Sequence, residues 1–247
     1  MDNMNHGIYM RWAAVVLAAG VIGCRAAPAQ NAGFADPKLL KTDPDVGFNK
    51  FWRKSGVNWT QYKQIYVAPV NTSYMLKMTD WQKGERKAQI EQDVRDLAVR
   101  ARGTIMKAFR EDPRHRFRVV DDPANDPNTL VLEVALTEIV PSKVLLNAAG
   151  YAPFYVGTGI TVVRMVGEDK SSAAFEARVR DAHTGEIVLL AADREAEQLA
   201  PVDVRALTWY GDVDGIIAEW SKEFVQLSNA KPGEKVAAMP TFRLLPW

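Results

Sequence analysis

A single cysteine, Cys24, sets the first limit on what this chain can fold into. One thiol cannot close an intramolecular disulfide, and it cannot supply a zinc ribbon or a Cys-x-x-Cys redox pair. A disulfide-stapled miniprotein is therefore excluded. The length of 247 residues, with 47% hydrophobic and 25% charged content, excludes wholesale disorder and a collagen-like chain as well. The 31 Lys and Arg against 30 Asp and Glu leave a net charge of +1, so no overall field draws the chain toward nucleic acid or an anionic surface.

Cys24 follows an uncharged apolar run, Trp12 to Gly23, which is itself preceded by Arg11. About 12 residues at ~1.5 Å rise reach roughly 18 Å, short of a ~30 Å hydrocarbon core, which fits a signal-peptide core better than a spanning helix. The end of the run, Val21-Ile22-Gly23-Cys24, is similar to a bacterial lipobox: an aliphatic residue, a small residue just before cysteine, and apolar sequence upstream. The expectation is removal of residues 1–23 and acylation of Cys24, palmitate included. The competing readings are cleavage after Ala27-Pro28-Ala29, with Cys24 discarded, and a short buried helix. Against them, the chain's one cysteine stands at the one position where acylation needs it. Each buried methylene contributes about 0.8 kcal/mol, so several acyl chains would anchor the protein for good. Arg25 is not the aspartate that resembles an inner-membrane retention signal, which favours the outer membrane with the domain facing the periplasm.

The mature chain divides by composition. Residues 24–45 hold the cysteine and an Ala-, Pro-, Asn-, Asp- and Gly-rich stretch that reads as a flexible tether; 46–230 read as one domain; 231–247, with three prolines, read as a C-terminal tail. Within the domain, 64–70 form a compact aliphatic strand. Residues 83–112 place Ile90, Val94, Leu97, Ala101, Ile105 and Phe109 at helical spacing, with Pro113 just beyond. Short and long strands follow at 117–120 and 129–140. Two more, 173–180 and 186–196, flank the turn His183-Thr184-Gly185. Val213, Ile216, Ile217, Trp220, Phe224 and Leu227 are the stripe of a closing helix with Asp212 as its cap. The order predicts an α+β fold: a mixed β-sheet of about five strands with two long amphipathic helices on one face, and one parallel pair made by the first crossover.

Several of these stretches together resemble a bacterial lipoprotein family catalogued as domain of unknown function 3313. They are the lipobox; Gly47-Phe48 with Trp52-Arg53-Lys54 and Val57; the run Tyr62 to Val70; the run Leu132 to Pro141; and Arg180-Asp181-Ala182-His183-Thr184-Gly185-Glu186. The likeness spans about 46–230. It implies an envelope lipoprotein with no established enzymatic activity, and so speaks to location and fold more than to mechanism.

The residues offer little catalytic chemistry. His6 leaves with the leader, His115 sits between Arg114 and Arg116, and His183 lies in a turn. No Gly-x-Ser-x-Gly elbow occurs, and with Cys24 acylated there is no thiol nucleophile and no Cys/His ligand set. Acidic residues cluster at Asp121, Asp122 and Asp126, and at Asp212 and Asp214, where paired carboxylates could serve acid–base chemistry or hold a hard cation. Turn formation and helix capping explain both more simply. The arginines 110, 114, 116 and 118 could meet phosphate groups, or be a solvated helix end.

The strongest anomaly is Val144–Val163, twenty residues without a charge and interrupted by Pro153 and glycines. Tyr151, Phe154 and Tyr155 make it a candidate contact surface, covering the sheet, meeting a partner or touching the bilayer. The expectation is a non-enzymatic envelope protein with neither metal nor cofactor. It is held to the membrane by its N-terminal lipid and acts through an envelope protein partner or self-association. The alternative is a periplasmic lipid, glycan or small-ligand binding module with a cleft bordered by 144–163.

Overall fold

The computed structural model describes residues 30–75, 87–140, 172–196, 213–231 and 234–236. Six strands and two helices run through them: β1 (Lys50–Arg53), β2 (Gln64–Val67), α1 (Lys87–Arg110), β3 (Arg118–Val120), β4 (Thr129–Val140), β5 (Ser172–Asp181), β6 (Ile187–Ala196) and α2 (Val213–Asn229). The strands form one mixed sheet in the order β1-β6-β5-β4-β2-β3. The α+β class is as expected, with one strand more than the sequence reading. There are also two parallel pairs, because β2 lies between β3 and β4 and runs parallel to both.

The added strand is β1, which pairs antiparallel with β6 at the sheet edge. Its sequence, Lys-Phe-Trp-Arg, is short and shows no simple alternation. The reason is that both faces of the sheet are covered here: Phe51 joins the main core, while Trp52 packs with Ala35, Leu40 and Leu190 on the other side.

One face of the sheet carries both helices, which also pack on each other. Register sets this face. Val67 stands beside Leu132, Leu132 beside Val179, Val134 beside Ala177 and Leu136 beside Phe175. Against it α1 buries Ile90, Val94, Leu97, Ala101, Ile105 and Phe109, the predicted stripe, and Lys107 and Arg110 complement the dipole in its last turn. Helix α2 buries Val213, Ile216, Ile217, Trp220 and Phe224; its expected cap, Asp212, lies outside the described residues. Phe175 is the centre of the core, its ring 4.6 Å from Trp220, 5.3 Å from Phe224 and 5.5 Å from Phe48.

The opposite face corrects the expected domain limits. Residues 30–45, read as tether, are packed where the structure describes them: Phe34, Ala35 and Leu40 are buried, and Lys41 bridges to Phe51. Ala, Asn and Pro content suggested a leash, but a few apolar side chains and a carboxylate partner on the sheet suffice to dock it. At the other end, Val236 is buried and its N–H donates to the Asp45 carbonyl at 2.7 Å, so part of the expected tail also belongs to the domain.

Candidate functional site

The residues singled out at the N-terminus (Val21, Ile22, Gly23 and Cys24) and the contact candidates Tyr151, Phe154 and Tyr155 lie outside the described residues. The acidic and basic clusters do not converge. Asp122 and Asp126 accept backbone amides of Ala124 and Asn128 in turns, while Asp121 and Asp214 reach Arg110 and Arg100 at 3.8 and 3.5 Å on the surface. Arg116 donates to the carbonyls of Tyr62 and Trp59 at 2.7 and 2.6 Å, and Arg114 to that of Asn229 at 3.2 Å. Two of the four arginines thus tie loops together. His115 sits in a turn at φ 47°, its N–H donating to the Asp112 carbonyl. Among the described residues no group of three or more His, Cys, Asp or Glu is placed to hold a metal ion.

The structure draws together charges that the sequence reading passed over. Glu176, only 3% exposed in the middle of β5, accepts three backbone amides from the N-terminal segment: Ala32 at 2.6 Å, Phe34 at 2.8 Å and Ala35 at 2.7 Å. Alternation puts Arg178 and Arg180 on the same face, where both donate to Glu133 of β4. Arg178 also covers the Phe34 ring at 4.3 Å. Burial pushes the Glu133 carboxyl up, but the donors from Arg180 and Arg178 together more than reverse this and hold it below its ordinary range. Deeper along the sheet, Arg194 donates to Glu138 at 2.9 Å and to the Ser172 hydroxyl at 3.1 Å, all three buried. The legible signal was Glu176, Arg178 and Arg180 at every second position, alternating with the apolar Phe175, Ala177 and Val179: three charges on one face need partners if that face is covered.

At the β5–β6 hairpin, Asp181 accepts the amides of His183 and Thr184 and the hydroxyl of Tyr62 at 2.8 Å, while Gly185 takes the φ of 72° the turn requires. Burial and the Asp181 hydrogen bond push the Tyr62 phenol up to about 12.

A cavity of about 120 Å³ lies between the sheet and the C-terminal ends of both helices. Leu132, Val179 and Leu189 line it from the sheet, Phe109 and Phe224 from the helices. Arg53, Trp59, Arg116, Ser228 and Ala230 are among the other residues that border it, and no lining residue is acidic. The cavity sits toward the Leu130–Asp181 end of the β4–β5 ladder. Residues 144–163, the expected border of a cleft, lie outside the described residues.

These features define an α+β domain with a docked N-terminal segment and an apolar cavity under its helix ends. A family model described as protein of unknown function (DUF3313) matches residues 30–224, and the chain belongs to that family. No curated protein matches the chain. Among solved structures it is similar to a PelC dodecamer from Paraburkholderia phytofirmans, with 12% identity over 74% of this chain and 98% of that one and a TM-score of 0.39. A point variant of that dodecamer in another crystal form gives 13% identity, 70% and 96% coverage and a TM-score of 0.37. Lipoprotein GNA1162 from Neisseria meningitidis gives 12% identity, 68% and 99% coverage and a TM-score of 0.24. No helix among the described residues is long and apolar enough to cross a membrane.

Proposed function

We propose that this chain is a bacterial envelope lipoprotein, anchored through acylated Cys24 to the outer membrane with its domain in the periplasm. The domain acts without catalysis, through contacts with an envelope protein partner or a second copy of itself. The observation that carries the reading is the grip of Glu176 on Ala32, Phe34 and Ala35. From the acylated residue to the first gripped amide there are about eight residues, which at ~3.5 Å each span roughly 28 Å at full extension. The leash is therefore short, and the domain stands at a restricted height over the headgroups, a geometry suited to meeting neighbours fixed in or on the same membrane. Asp122, Asp126 and Asp181, carboxylates that a hydrolytic site could use, are engaged with turn amides, which supports a non-catalytic role.

The test is site-specific photo-crosslinking in intact cells from exposed positions such as Val99 and Leu39. The reading expects discrete adducts, confined to one face of the domain and lost when Cys24→Ser releases it from the membrane. Adducts that are the same with and without the cysteine, or a turnover assay that finds an activity dependent on Asp122 or Asp126, would overturn it.

A further inference from the structure

We propose that the cavity under the helix ends is a binding site for a small amphiphilic carboxylate, its apolar body inside and its head on the guanidinium of Arg53. Cavity size sets the body. An apolar protein cavity of about 150 Å³ takes up benzene, so one of about 120 Å³ accepts about five or six carbons. Wall chemistry sets its polarity. The sheet side is aliphatic and the helix side is Phe109 and Phe224, and the hydroxyl of Ser228 is engaged with the Val225 carbonyl at 2.7 Å. A sugar would leave its hydroxyls without partners there.

The head is set by one arginine. Strand alternation puts Arg53 on the same face as Phe51, but Phe51 is covered by the core while Arg53, at the strand end, is exposed. Its neighbour Lys54 pairs with Glu186. Arg116 is engaged with two carbonyls and stacked 4.3 Å from Phe117. Among the described residues the Arg53 guanidinium makes no ion pair or hydrogen bond, and it borders a cavity without an acidic residue. One planar guanidinium matches one carboxylate by two parallel hydrogen bonds. A phosphate monoester would bring a second negative charge, and the other guanidinium of the lining, Arg116, has donors already held by the Tyr62 and Trp59 carbonyls; a two-chain lipid exceeds the volume. The site commits to a single-chain or aryl monocarboxylate.

The experiment is calorimetric titration of the full chain carrying Cys24→Ser, in detergent-free buffer, with octanoate and with neutral 1-octanol. Any membrane anchor is absent from this assay, so its outcome is independent of the function proposed above. Octanoate is expected to bind one to one. R53Q weakens octanoate roughly tenfold or more, as loss of a charge-assisted pair implies, and leaves 1-octanol unchanged. A230W, which plugs the cavity's lining with a large ring, removes both. No octanoate binding, or equal weakening of acid and alcohol by R53Q, overturns the proposal. Should A230W fail to fold, chain length decides. Affinity that rises from butanoate and levels off by about heptanoate supports the cavity, whereas a steady rise through dodecanoate means surface adsorption and overturns it.

Discussion

Oε1 of Glu176 accepts the backbone N–H of Ala32 at 2.6 Å, across 144 residues of sequence. The partner oxygen takes Phe34 and Ala35, so three backbone amide donors replace the water that the buried carboxylate gives up. That contact turns the start of the domain from a leash into a fixed strap across the back of the sheet.

Glu176→Gln should loosen the strap, because the amide keeps one acceptor but sets an N–H against an N–H. The expected cost is roughly 2–3 kcal/mol in urea unfolding. Hydrogen exchange should show protection lost selectively at Ala32, Phe34 and Ala35, with the helix amides unchanged. Unaltered exchange at those three amides would refute the assignment.

Glu138 and Arg194 form a buried pair, with side chains 3% and 10% exposed. Removing one partner leaves the other's buried charge without that counter-charge, so Arg194→Met should cost about 3–5 kcal/mol. Glu138→Leu combined with Arg194→Met should cost less than the two single changes added together. A double-mutant cycle by equilibrium unfolding measures this coupling.

Tyr62 and Asp181 place opposite limits on the pH range of stability. The Tyr62 phenol is raised in the fold, so the native state keeps its proton longer than the unfolded chain. This contribution is whole below pH 10 and is lost as pH climbs toward about 12. Asp181 is affected by burial, which raises it, but the donors from Thr184, Tyr62 and His183 win and depress it. Its contribution is present above the ordinary value of 3.8 and lost as pH falls through the depressed one. Tyr62→Phe should flatten the alkaline limb of a stability profile, and Asp181→Asn should weaken the acid limb.

Phe175 meets three other rings at the centre of the helix-facing core. Phe175→Ala should cost about 3–5 kcal/mol in thermal or urea unfolding, because rings fixed on α2 and on the loop before β1 cannot collapse into the space.

The long elements were legible because their periodicity is local. The stripe of α1, the alternation in β5 and the Gly185 turn can each be read within a dozen or so residues. What was not legible depends on pairs far apart. Phe51 and Trp52 form a strand only because β6 offers an edge and each face has a cover. Phe34 and Leu40 looked like isolated apolar residues in a polar leash, but Glu176 gives the Phe34 amide a partner and Leu40 packs with Ala35 and Leu190. Arg53 lies within a stretch that carried the family resemblance, but its place beside a cavity depends on the ends of two helices remote in sequence. The contact surface expected at Tyr151, Phe154 and Tyr155 falls outside the described residues.

The proposed membrane attachment depends on the chemistry of one sulfur, and intact-mass analysis of the chain isolated from bacterial membranes tests it directly. The prediction is a polypeptide beginning at Cys24, heavier than its sequence by the mass of the acyl groups and returning to an unacylated, membrane-free form in Cys24→Ser. A chain beginning at Gln30, or one that retains Cys24 as a free thiol and stays in the soluble fraction, would contradict it.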